Sequence, residues 1–183
     1  MAPTTQLTSA ALQAQLRNGS MSGRWTLDST RSSAALQTKS MWGLVRIKGA
    51  FREIEGEGEV ASEGSVTGRV SLATASLDTK NRKRDVHLRS DDFFSSDTHP
   101  SIAFDLTGME PSGEGVTLSG TITVRGQTRP ISVPATVTAS GPEEIVLDAE
   151  VEVDRSQFGL TWNRMGMASM NNTITVHTVF IKI

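Results

Sequence analysis

From Trp25 onward apolar and polar residues alternate with a period of two, as they do in strands that turn one face to a core and the other to water. Trp25 and Leu27 open a short strand, and Ala34, Leu36 and Thr38 alternate in a second that runs to Ser40. Between Lys48 and Ala61 the segregation is sharpest: Glu53, Glu55, Glu57 and Glu59 share one face, and Ile54, Gly56, Gly58 and Val60 share the other. The acidic face belongs in water. Two glycines on the inner face mark strong bending as a barrel closes, a hollow left for a ligand, or both. Val66, Gly68, Val70 and Leu72 form the return strand, and Ile102, Phe104 and Leu106 share the face of the next. The alternation then repeats through Val116–Val124, Ile131–Val137, Ile145–Val153 and Ile174–Phe180. About eight or nine strands joined by short turns favour antiparallel neighbours, and one wet face with one dry face favours a barrel or sandwich. The fold class is all-β, and an eight-stranded antiparallel barrel is wide enough for a slender ligand.

Three stretches break the alternation. Met41-Trp42-Gly43-Leu44-Val45 is an apolar bend; at the end of a barrel it places Trp42 and Leu44 in a cavity wall or in ordinary core. Residues 80–98 are the longest interruption, and connections of that length usually cap or serve a function. Asn81 or Asp85 can start a short helix there, with Val86, Leu88, Phe93 and Phe94 on its apolar side: a helical lid. The third, 157–170, gathers Phe158, Leu160, Trp162, Met165, Met167 and Met170. Methionine is flexible and polarizable and suits a wall that adapts to a hydrocarbon. Such a loop lines the barrel mouth or packs as core, because exposed apolar loops are costly. Ahead of the barrel, residues 1–22 form an extension in which Thr8 or Ser9 caps a helix through Leu12 and Leu16, stopped at Asn18-Gly19. That helix is too short to stand alone, so it packs on the barrel or frays. The domain division is therefore 1–22 extension and 23–183 barrel.

At 183 residues with a net charge of −2, and with no basic run longer than Arg82-Lys83-Arg84, the chain has no electrostatic footprint for nucleic acid or for an anionic membrane. The absence of cysteine removes disulfides, thiolate metal sites and a cysteine nucleophile. Residues 1–22 hold neither a charged segment followed by an apolar one nor any span long enough for a bilayer, which predicts a cytoplasmic protein without stable membrane insertion. A closed barrel has no free edge, so a homodimer would use loops or outer faces.

The lid and two later segments are specific enough to place the chain. Arg84, Asp85, His87, Leu88, Arg89 and Ser90, then Asp92, Phe93 and Phe94, then Pro100, Ile102 and Phe104, follow the spacing RDxHLRSxDFF…PxIxF. Leu118-x-Gly120-Thr121-x-Thr123-x-Arg125-Gly126-x-Thr128-Arg129-Pro130 and Asp154-Arg155-x-x-Phe158-Gly159-Leu160 agree with it. Together, over about Trp25 to Ile183, they resemble the YceI-like family. The resemblance implies a lipocalin-like antiparallel barrel whose hydrophobic cavity takes a long polyisoprenoid chain, and an isoprenoid quinone is a ligand of the same kind. Many members of that family are periplasmic, and the N-terminus read above departs from that.

An apolar ligand needs no cofactor and no polar site for affinity, since each buried methylene contributes about 0.8 kcal/mol. The residues proposed to line its cavity are Trp42, Leu44, Leu72, Phe93, Phe94, Phe104, Trp162, Met165 and Met167. Arg84, His87 or Asn163 can meet a head group at the mouth; alternatively Arg84 pairs with Asp85 or Asp154 and holds the lid down. Competing classes have less in their favour. No G-x-S-x-G elbow accompanies His87, His99 and His177, and Asp91, Asp92, Asp97 and His99 match no metal-ligand spacing. A packed barrel serving protein interaction or stress response, and an isomerase or cyclase using His87 in the pocket, remain the alternatives.

Overall fold

A computed structural model describes residues 5–183. In chain order it contains β1 (Thr5–Gln6), α1 (Ser9–Arg17), β2 (Gly23–Leu27), β3 (Ser33–Ser40), β4 (Val45–Phe51), β5 (Ile54–Val60), β6 (Val66–Ala73) and β7 (Leu77–Asp78). It continues with α2 (Arg82–Arg89), β8 (Ser101–Ser112), β9 (Gly115–Val124), β10 (Gln127–Ala139), β11 (Glu144–Asp154) and β12 (Asn171–Lys182). β2 and β3 both pair antiparallel with β12, while β2 pairs β5 and β3 pairs β4. Thus β2–β3 and β4–β5 are each one long strand with a break in it. Counted so, eight antiparallel strands form a meander that closes where the last, β12, returns to the first.

Both breaks are held by side chains. At the first, Asp28 accepts from Thr30 N at 3.0 Å and from Thr30 Oγ1 and Arg31 Nε at 2.6 and 2.7 Å, and Arg31 reaches Glu144 at 2.9 Å. Those donors, Thr30 first and Arg31 next, lower the Asp28 carboxyl to about 2. At the second, Arg52 N and Glu53 N both donate to Ser76 Oγ at 3.1 Å, so the kink leaves neither amide without a partner.

The inner faces carry the expected apolar rows and the β5 glutamates point to solvent. Gly58 and Gly68 are direct cross-strand partners, so the wall between β5 and β6 has no side chain on its inner side there. Gly56 and Gly68 also allow close approach: an added Cβ would lie 3.1 Å from Arg69 O at the first and 2.9 Å from Glu57 O at the second. Coiling and hollow coexist.

Each end is closed by a helix. At one end Thr8 caps α1 by accepting from Ala11 N at 3.2 Å, Leu12 and Leu16 are buried, and Ser9 Oγ donates to Gly113 O and Gly115 O at the β8–β9 turn. The extension packs on the barrel and contributes to its core. At the other end lies α2. No helix among the described residues is long and apolar enough to cross a membrane.

Candidate functional site

α2 is anchored through Thr79, just ahead of its Asn81 cap, which accepts from Arg84 N at 3.0 Å. Asp85, buried, accepts from Thr79 N at 3.0 Å and from the Thr79 hydroxyl, and Arg84 donates through Nε to Thr79 Oγ1 at 2.7 Å and through Nη2 to Thr79 O at 2.8 Å. The expected ion pair of Arg84 with Asp85 or Asp154 is therefore corrected. Consecutive helical residues do not face one another, and both groups meet at Thr79 instead. Asp154 accepts from Ser156 N and Oγ at 2.9 and 2.6 Å and starts a short 3₁₀ turn.

Beneath the lid, two cavities lie along the barrel. The inner one, of about 170 Å³, sits in the barrel proper against Gly58, Gly68, Leu72, Phe104 and the inner rows of β9 to β12. The outer one, of about 720 Å³, lies between α2, the β3–β4 hairpin and the segment 155–169. Ile102 and Ile174 line both.

Phe93, Phe94, Trp162, Arg84 and His87 line the lid chamber, and Leu72 and Phe104 line the inner one. His87, Phe93 and Trp162 form an aromatic cluster: His87 stands edge-on to Trp162 at 4.5 Å and to Phe93 at 5.2 Å, and Phe93 and Trp162 are 5.4 Å apart. His87 Nε2 lies 2.8 Å from Asp92 Oδ2, which orients the ring within the cluster.

Four of the proposed residues lie outside both chambers. Trp42 and Leu44 are 67% and 84% exposed, because 41–44 is a hairpin loop projecting past the barrel rim. Met41, Trp42 and Gly43 take positive φ there, a sharp reversal that turns the side chains away from the interior. Met165 is 75% exposed, and Met167 is half-buried and offers its carbonyl to Trp42 N at 3.2 Å. Asn163 closes this loop on itself by bonding both N and O of Ala168 at 2.9 Å, and Trp162, 36% exposed, lines the lid chamber together with Ala168 and Ser169.

The residue that sequence reasoning missed is Arg155. It is 8% exposed and lies in the wall of the lid chamber, with its guanidinium carbon 5.5 Å from the centre of the Phe93 ring. Nε donates to Ser169 O at 3.0 Å and Nη1 to Leu160 O, while Nη2 is buried without a partner. Burial pushes its pKa down from the usual arginine value, and the charge of Asp154 opposes that. The Asp154-Arg155-x-x-Phe158-Gly159-Leu160 run was the available signal: a cation set among residues that fold into the barrel end. His177 and His99 are elsewhere; His177 pairs across strands with Asp148 at 2.6 Å on the outer surface, and His99 packs against the Gly126 turn.

The chain resembles several known proteins. It is 29% identical over 127 residues to a UPF0312 protein of Ectopseudomonas mendocina, covering 67% of this chain and 66% of that one. It is 30% identical over 97 residues to a UPF0312 protein of Photorhabdus laumondii, covering 52% and 50%. The chain thus spans no more than about two thirds of the length of these curated relatives. Its fold matches the crystal structure of Burkholderia cenocepacia BcnA with a TM-score of 0.76 at 21% identity, over 84% of this chain and 98% of that one. It also matches a polyisoprenoid binding domain from Saccharophagus degradans with a TM-score of 0.71 at 13% identity, over 87% and 98%. The family model for the YceI-like domain matches residues 25–180, from the first barrel strand into the last, and the chain belongs to the YceI-like family.

Proposed function

We propose that this protein binds a polyisoprenoid, or the isoprenoid tail of a quinone, along the barrel axis and serves to store or carry it. The observation that carries this reading is the pair of apolar cavities that share Ile102 and Ile174 in their walls, the outer of them lined by the aromatic residues of the lid. Branched, flexible prenyl units suit a channel built from aliphatic and aromatic side chains, and at about 0.8 kcal/mol per buried methylene a few units offset the cost of ordering the chain. The neighbour from Saccharophagus degradans, a polyisoprenoid binding domain, points the same way. Gly58 and Gly68 line the inner cavity and have mainly backbone, not bulky side chains, close to them, which disfavours a solidly packed barrel.

His87 faces the lid chamber and supports a second reading, an isomerase or cyclase acting on the same apolar substrate. The two separate by mutation. Titrating the protein with geranylgeraniol and following quenching of Trp162 and Trp25, which line the two chambers, should give saturable binding. Trp162→Ala should weaken it by about tenfold, and His87→Ala should change it little. No binding would sink the proposal; turnover of the prenyl substrate that disappears in His87→Ala would favour the enzyme.

A further inference from the structure

The apolar side chains that stay exposed gather at the lid end of the molecule. Among the described residues, and apart from the C-terminal Ile183, the large ones are Met41, Trp42, Leu44 and Val45 on the β3–β4 hairpin, Val86 on α2, and Trp162 and Met165 on the loop after β11. Three elements distant in sequence thus present one apolar rim. The hairpin and the loop are tied together, since Trp42 N donates to Met167 O at 3.2 Å and Ser169 N donates to Lys39 O at 2.9 Å. The rim borders the lid chamber: Val86 and Trp162 are exposed and also stand in its wall. A contiguous exposed patch of this kind marks an interaction surface.

Charge is divided in the same way. The hairpin carries Lys39, Arg46 and Lys48, α2 carries Arg82, Lys83 and Arg89, and the loop carries Arg164; all are exposed, and none is in an ion pair among the described residues. Of the carboxylates on and just after α2, Asp85 is buried against Thr79, Asp92 meets His87 and Asp91 accepts from Ser95 Oγ, which leaves Asp97. The glutamates of β5 and β11 lie instead along the barrel wall. A net charge of −2 therefore conceals a cationic end, because a sum over the chain averages the whole surface.

We propose that this rim is a docking surface for an anionic lipid bilayer, and that it seats the chamber mouth there so that an apolar ligand passes between membrane and barrel without crossing water. Trp42, Leu44 and Met165 enter the headgroup region, where tryptophan is favoured, and the cations around them face lipid phosphates. A second copy of the chain is a poorer occupant: a two-fold contact through this rim would set one cationic ring against another. The passage of ligand rests on the isoprenoid reading above; the docking itself does not.

Flotation of the full chain with vesicles of phosphatidylglycerol or of phosphatidylcholine, both free of prenyl lipid, tests the docking. The protein should float with phosphatidylglycerol at least about fivefold more than with phosphatidylcholine, and less as salt is raised. The double variant Lys39→Glu, Arg46→Glu should lose the preference for phosphatidylglycerol, and Trp42→Ser, Leu44→Ser should stay unbound; these side chains are exposed, so both variants should keep the native circular dichroism. With brominated phosphatidylglycerol the wild-type emission should be quenched, and Trp42→Phe should still float but lose the larger part of that quenching, since Trp25 is buried. No flotation, flotation unchanged in the serine variant, or quenching unchanged in Trp42→Phe overturns the proposal. So does a dimer of the free protein that the serine variant abolishes, which would assign the rim to a second copy. Because the vesicles hold no prenyl lipid, each of these failures leaves the isoprenoid reading standing.

Discussion

Gly58 and Gly68 make the inner chamber possible, since any larger pair on those facing strands would project into it. A Cβ at Gly58 meets only ordinary contacts, Thr67 O at 3.4 Å and Trp25 Cβ at 4.0 Å, so the position accepts a side chain without moving the backbone. Gly58→Leu should therefore fold, fill the inner chamber, and weaken solanesol binding by about tenfold or more while leaving geraniol, short enough for the lid chamber, unaffected. Gly120 behaves oppositely. A Cβ there would overlap Asp105 O, next to the irregularity between Leu106 and Gly108, so Gly120→Ala should destabilise the protein by about 1–3 kcal/mol in a denaturant melt. Asp28 sets a pH dependence. Its folded pKa of about 2 lies below the ordinary carboxylate value of about 3.9, so its contribution is complete above the unfolded value and is lost as pH falls through the folded one. Melting temperatures taken from neutral pH down to about pH 2 should fall less steeply for Asp28→Asn than for the wild type.

At the scale of elements, α1 and α2 stopper opposite ends by different means. α1 closes its end with apolar packing, and Leu12, only 1% exposed, is its principal contact. Leu12→Ala should cost about 2–4 kcal/mol in a denaturant melt. α2 closes the other end through the polar linkage at Thr79 and stands over the larger cavity. Strands and lid were legible because alternation and its interruption are local properties of the chain. The direction of an apolar run is not. Met41-Trp42-Gly43-Leu44 reads as buried from hydrophobicity alone, and only the register Ser40↔Val45 shows it to be a loop beyond the rim. Arg155 was hidden for a related reason: its burial depends on carbonyls at Leu160 and Ser169 brought together by a loop, and its cationic character in sequence suggests a surface. The break in β2–β3 was visible as two short strands, and their joining follows from the pairing of both with distant β12; Lys48–Ala61 instead reads as one strand, and its break at Arg52–Glu53 shows only in the structure.

The whole molecule is a barrel plugged at one end, lidded at the other, and hollow between. A protein built to be stable without a ligand fills such space, because interiors pack to crystal-like density and empty volume forfeits contacts. The central claim, that an isoprenoid fills it, is tested most directly by extracting the purified full chain with organic solvent and identifying by mass spectrometry what is released. A prenyl lipid at near-stoichiometric amount is the expected result. An extract without prenyl lipid, still empty after the protein has been incubated with prenyl alcohols and phosphates, would contradict the account.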